Sequence, residues 1–204
     1  MMAKKHINEN YIHACDSVQE VVLPNAKAIS QMGFTEEQVI KIVEFFLLNA
    51  PMLTADKKDD AFGLKSLKEY GWAGTSAMSK LEGRLLKAAG MSIFCFIKSD
   101  KIDDTLDSMN LGSKICTEHP RAVLKQNAKA VLLEDGSTEI KQQETRMECH
   151  FRHLRNAIAH NHTYLFNNGY ILIEDCDDNK KISARLLMPK DALLEWIRIV
   201  RNSN

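Results

Sequence analysis

Long apolar runs are missing from this sequence. Its fullest apolar stretches, "IVEFFLLNA" and "MSIFCFI", fall far short of the roughly 20 residues that cross a bilayer. The opening "MMAKKHINEN" lacks the apolar core of a signal peptide, so the chain is read as cytoplasmic, with no membrane partner. Charge of one sign is absent too. Lys and Arg number 27 and Asp and Glu 27, which leaves no net field to draw in polyanions and argues against a non-specific nucleic-acid coat protein. A localised basic site stays open. The five cysteines, Cys15, Cys95, Cys116, Cys149 and Cys176, are odd in number and form no CxxC. That pattern suggests neither a disulfide framework nor a zinc knuckle. No repeat and no low-complexity tract stands out.

What is present is an ordinary globular composition, 45% hydrophobic and 26% charged. A chain of 204 residues can bury a full core without staples and reads as a single domain over 1–204. Most of it reads as amphipathic helix. A first helix is expected over 7–32, with Pro24 as a boundary or kink and Gly33 closing it. "TEEQVIKIVEFFLLNAP" follows, opened by a capping box from Thr35 and Gln38 and ended by Pro51. "SAMSKLEGRLLKAAGMSIFCFIKS" reads as one longer helical segment, because Met78, Leu81, Leu85, Ala88 and Ala89 recur at spacings of three and four. A short acidic helix to about Met109 and a further helix from Pro120 to Leu133 complete the first two-thirds.

The segment over about 137–160 reads as the central helix. Ile140, Glu144, Met147, Phe151, Leu154 and Ile158 step by four, three, four, three and four, so one face is core and the rest is free for chemistry. Two β-like runs, "YILIEDC" and "KISARLL", joined by "DDNK", read as a hairpin over about 170–187. Pro189 would then occupy the first turn of a last helix over about 189–201. The expected fold class is mainly all-α: a helical bundle with a small β-hairpin before the C-terminal helix.

The polar chemistry concentrates in "HLRNAIAHNH", His153 to His162. On an ideal wheel Arg152, Arg155, Asn156 and His160 form a polar band beside the core stripe. Arg155 and His160 diverge by roughly 140° on a straight helix, so they would not readily grip one phosphate. Either the helix ends or bends near His160, or the site combines two subunits across a two-fold axis. These residue types suit cleavage of an RNA phosphodiester. An imidazole can deprotonate a ribose 2′-hydroxyl or protonate the leaving 5′-oxygen. A guanidinium fits two phosphate oxygens and stabilises the charge of the transition state. Asn156 can orient the histidine or bind phosphate, and no metal is needed when the 2′-hydroxyl attacks.

Plainer readings compete. Arg and His near a helix C-terminus interact favourably with its dipole. His150, His153, His160 and His162 could suggest a metal cluster, but no carboxylate or cysteine completes a ligand spacing. Cys149 reads as a packed thiol rather than a nucleophile.

"LRNAIAHNH" resembles the signature of the HEPN superfamily, in which Arg, usually followed by a polar residue, precedes His by four to six intervening positions. Arg155, Asn156 and His160 fit the four-residue spacing. The following hairpin and closing helix resemble a plasmid-associated HEPN subfamily of bacterial conflict systems. The resemblance implies an all-α homodimer with Arg155 and His160 of both subunits lining one cleft. It implies a metal-independent endoribonuclease without cofactor that leaves a 2′,3′-cyclic phosphate. Such a protein serves as a toxin or anti-phage effector, with RNA as substrate and an antitoxin or regulator protein as a further partner. Arg155, Asn156 and His160 would be catalytic, and Arg152 and His162 would contact substrate. The alternative within the same family is a non-catalytic dimer that acts as an interaction or regulatory module.

Overall fold

The computed structural model describes residues 19–20, 23–51, 66–98, 101–132 and 138–203. The expected helix over 7–32 lies partly outside them; inside them only Ile29–Gln31 is helical, as a single 3-10 turn. Strand β1 is Gln19–Glu20. Helix α1, Glu36–Val43, starts where the sequence places it. Gln38 N donates to Thr35 Oγ1 at 3.3 Å and Thr35 N to Gln38 Oε1 at 2.9 Å, which satisfies two orphan donors of the first turn. A π-helical turn, Glu44–Leu48, prolongs α1 towards Pro51.

Helix α2 is Gly74–Ala88, and Gly90, at φ +63°, takes the left-handed conformation just beyond its end. "IFCFI" is therefore not part of that helix but strand β2, Ile93–Ile97. Helix α3 is Ile102–Ser108, the expected short acidic helix. Strand β3, Lys114–Ile115, pairs with β1. The helix expected after Pro120 is replaced by strands β4, Arg121–Lys125, and β5, Ala128–Leu132. Strand β6, Thr138–Gln143, pairs with β5 and occupies what was read as the start of the central helix. That helix, α4, is Arg146–Ala159. Strand β7 is Thr163–Leu165. The predicted hairpin is β8, Tyr170–Cys176, and β9, Ile182–Pro189. Pro189 thus ends a strand rather than starting a helix, and the last helix, α5, is Ala192–Arg201.

The expected all-α bundle, implied also by the HEPN resemblance, is overturned. The molecule is mixed α/β, built on a five-stranded sheet in the order β2-β4-β9-β8-β7. The β2–β4 pair is parallel and needs a crossover, which contains α3; the other pairs are antiparallel. The hairpin is not a small appendage but the middle of this sheet.

Both faces of the sheet are covered, and the side chains divide by alternation. Phe94, Phe96, Ala122, Leu124, Ile171, Ile173, Ala184, Leu186 and Met188 join the larger core with α1, α2, α4 and α5. Ile93, Cys95, Val123, Leu172 and Leu187 join a smaller core with Ile102, Leu106 and Met109 from α3 and its end. Strands buried on both faces read as unbroken apolar runs, which is why periodicity alone did not separate them from helix. On the smaller-core side the Glu174–Arg185 pair, 2.7 Å, ties β8 to β9, and Arg185 Nη1 donates to the carbonyls of Leu111 and Gly112 at 2.9 and 2.7 Å. In the larger core the indoles of Trp72 and Trp196 donate to Val200 O and Leu85 O, each at 2.8 Å, fastening α5 to α2 and its neighbour loop. No described helix is long and apolar enough to cross a membrane. Cys116 is disulfide-bonded whereas Cys95, Cys149 and Cys176 form no disulfide, a difference that cysteine spacing does not reveal.

His150, fully buried on α4, sits among the rings of Trp196, Phe94 and Phe151 at 4.7, 5.2 and 5.2 Å. Neither ring nitrogen has a partner. Burial therefore pushes this imidazole down to about 3. Between that value and the ordinary 6.5 the unfolded chain binds a proton that the folded chain refuses, so His150 withdraws stability as pH falls through this window. The expected slope is about 1.4 kcal/mol per pH unit from this residue. Urea unfolding of wild type and His150→Leu between pH 7 and 4 checks it: the variant should lose stability less steeply, and parallel curves would refute the assignment.

Candidate functional site

Helix α4 carries the motif and is delimited by sequence at both ends. At its start Thr145 N donates to Glu148 Oε2 at 2.7 Å and Glu148 N to Thr145 Oγ1 at 3.3 Å, a second capping box. At its end His160 is the C-cap, and Asn161 enters the left-handed region at φ 56°. His162 N then donates to Ala157 O at 2.8 Å and Asn161 N to Ile158 O at 3.2 Å. These two bonds are the Schellman pattern, with Asn in the place where glycine is commonest. The helix thus ends at His160, the first of the two arrangements that the spacing of Arg155 and His160 left open.

Met147, Phe151, Leu154 and Ile158 face the larger core as expected. Beside them lies a polar network centred on Asp175, at the end of β8. His153 Nδ1 stands 2.6 Å from Asp175 Oδ2, and Asn156 Nδ2 donates to the same oxygen at 3.4 Å. Ser183 Oγ, on β9, donates to it at 3.2 Å. His153 Nε2 faces Lys125 O at 2.9 Å and Arg152 Nη2 at 3.1 Å. Arg152 is held by Glu144, with Nε 3.0 Å from both carboxylate oxygens and Nη2 2.9 Å from Oε1. Its Nη2 also donates to Lys125 O at 3.1 Å. Cys149 is buried with its thiol 3.4 Å from the same carbonyl, and burial pushes that thiol up, consistent with a packed rather than a reactive sulfur.

The five motif residues therefore separate into two groups. Arg152 and Asn156 point inwards, committed to Glu144 and Asp175. Arg155 is half-buried and makes no hydrogen bond or ion pair among the described residues, and His160 is exposed. The His162 ring lies 6.0 Å from the His160 ring, inclined by 35°. Its Nδ1 is buried without a partner. Arg152 sits two helical turns, about 12 Å of rise, before His160, so the structure does not bring it to the exposed pair. Among the described residues no group of three His, Cys, Asp or Glu side chains could hold a metal. A cavity of about 350 Å³ lined by Trp72, Met78, Thr145 and Glu148 lies at the opposite end of α4.

Sequence reasoning did not find Glu144, His153 as a carboxylate partner, Asp175 or Ser183. Two signals were there: Glu144 is the single polar member of the core stripe, and Glu174–Asp175 interrupts an apolar strand. A buried carboxylate requires partners, and each of these has them.

Removing Asp175 leaves His153, Asn156 and Ser183 without their shared acceptor. Asp175→Ala should cost about 3 kcal/mol or more in urea unfolding, whereas Asp178→Ala, on the exposed turn, should stay within about 0.5 kcal/mol. Equal midpoints for the two would show that the network does not hold α4. Compared with family models, curated proteins and solved structures, the chain matches none.

Proposed function

We propose that the protein is a metal-independent endoribonuclease of HEPN type that acts as a toxin or defence effector in a bacterial conflict system. The reading keeps the HEPN motif chemistry and not the HEPN bundle, since the fold differs. One observation carries it: near the end of α4, Arg155 has an uncommitted guanidinium and His160 an exposed imidazole, while Arg152 and Asn156 beside them are engaged inside. His160 exchanges a proton with the 2′-hydroxyl or the 5′-oxygen, and Arg155 binds the phosphate and offsets the charge that builds on it. Asn156 bonds to Asp175 and fixes the rotation of α4, which presents both groups. The 2′-oxygen attacks phosphorus, the bond from phosphorus to the 5′-oxygen breaks, and the products carry a 2′,3′-cyclic phosphate and a 5′-hydroxyl.

The working unit is a homodimer, and an antitoxin or regulator protein restrains it. Its place is the cytoplasm, with its RNA; the disulfide at Cys116 is the feature a reducing compartment does not favour. A second reading, a non-catalytic interaction module, draws on the same Asn156–Asp175 bond, because a motif residue there serves the fold.

Purified protein incubated with mixed RNA in EDTA should release fragments ending in cyclic phosphate. His160→Ala should slow cleavage by about 10²-fold or more, and Arg155→Ala by about 10²–10³-fold. Both variants should unfold within about 0.5 kcal/mol of wild type, as neither residue carries a structural bond. Intact RNA with every form, together with a stable dimer, would establish the interaction module instead.

A further inference from the structure

Within one chain the ribonuclease reading names a single imidazole, which cannot both take the 2′-hydroxyl proton and supply the 5′-oxygen in a single step, so the other comes either from a second subunit or from a neighbour of His160. We propose that His162 is the second catalytic residue, paired with His160 in the same chain; this rests on the ribonuclease reading above. One imidazole accepts the 2′-hydroxyl proton as the 2′-oxygen bonds to phosphorus. The other, entering as imidazolium, gives its proton to the 5′-oxygen as that bond breaks. The two rings end with their protonation states exchanged, and proton transfer through water resets them. No metal or further reactant enters the balance.

Three observations support the pairing. The ring centroids are 6.0 Å apart, close enough for both imidazoles to reach oxygens of one phosphodiester lying across them. The position of His162 is set by backbone bonds on both sides: its N–H donates to Ala157 O at 2.8 Å and its carbonyl accepts from Glu174 N at 2.9 Å. Holding a group by such bonds keeps it aligned without cost at the moment of reaction. Finally, Nδ1 is buried and partnerless, whereas Nε2 is neither buried in that way nor hydrogen-bonded, so Nε2 is the nitrogen available for proton exchange.

The test uses two substrates: an RNA oligonucleotide, and uridine 3′-(4-nitrophenyl phosphate), whose leaving group departs without a proton. On RNA, His162→Ala and His162→Gln should each lower kcat by about 10²-fold or more, with KM within about threefold of wild type. On the nitrophenyl ester one of His160→Ala and His162→Ala should recover to near the wild-type rate, identifying the acid, and the other should stay slow, identifying the base. Far-UV circular dichroism melts of each variant separate lost chemistry from lost fold. A His162→Ala enzyme that keeps kcat and raises KM, a His162→Gln enzyme of full activity, or two alanine variants that respond alike to the activated ester would overturn the pairing. Wild type inert on both substrates would overturn the ribonuclease reading itself.

Discussion

The rest of the structure depends on the contact between Asp175 and helix α4. A buried carboxylate is costly to desolvate and persists only where donors surround it. Here His153 and Asn156, one helical turn apart, both reach the same oxygen, with Ser183 from the neighbouring strand. Two contacts three residues apart fix the rotation of α4 about its axis. Arg155 lies between them in sequence, roughly 100° from Asn156 around the axis, and so falls away from Asp175. Its lack of an internal partner follows from the placement of its neighbours. The way one short motif presents its side chains is in this sense set by a residue on another element, nearly twenty positions on.

The second constraint is where the helix stops. Had α4 continued through His160 and His162, their rings would diverge by roughly 160°. The left-handed Asn161 turns the chain back, and its two Schellman bonds engage the carbonyls of Ala157 and Ile158, which a helix end otherwise leaves without partners. Asparagine tolerates this conformation better than most side chains. The turn sets the two imidazoles side by side while β7 begins at the next residue.

Much of the local structure was legible in the sequence, and the fold class was not. Capping residues located α1 through Thr35, and the acidic run located α3. The turn residues between "YILIEDC" and "KISARLL" located β8 and β9. The core stripe from Met147 to Ile158 was also correct. Two of the errors share a cause. "IFCFI" and "RAVLK" lie in strands buried on both faces, so they show neither the period of two of a half-exposed strand nor the flanking polarity of a surface helix. Pairing between β2, β4 and β9, which are distant in sequence, decides their state, and a local pattern contains no such information. At the site, Arg155 and His160 could be read from spacing, whereas Asp175 could not be joined to His153 without knowing that β8 runs beneath α4.

The neutral composition and the geometry of the site bear on one another. The C-terminal end of a helix carries partial negative charge and does not by itself attract phosphate. With no net charge on the chain, long-range steering contributes little either. Two features counter this locally. The Schellman bonds engage the two carbonyls that would otherwise face an incoming anion most directly, and the half-buried guanidinium of Arg155 stands in an environment where a charge acts more strongly than in open water. Arg152 cannot add to it, since Glu144 neutralises its charge. On the proposed reading, the motif itself therefore offers RNA one cation, Arg155, and the two imidazoles. A ribonuclease of the proposed kind would hold its substrate through the groups that do the chemistry rather than through a surrounding basic surface, and its selectivity would come from how a flexible strand lies across His160 and His162.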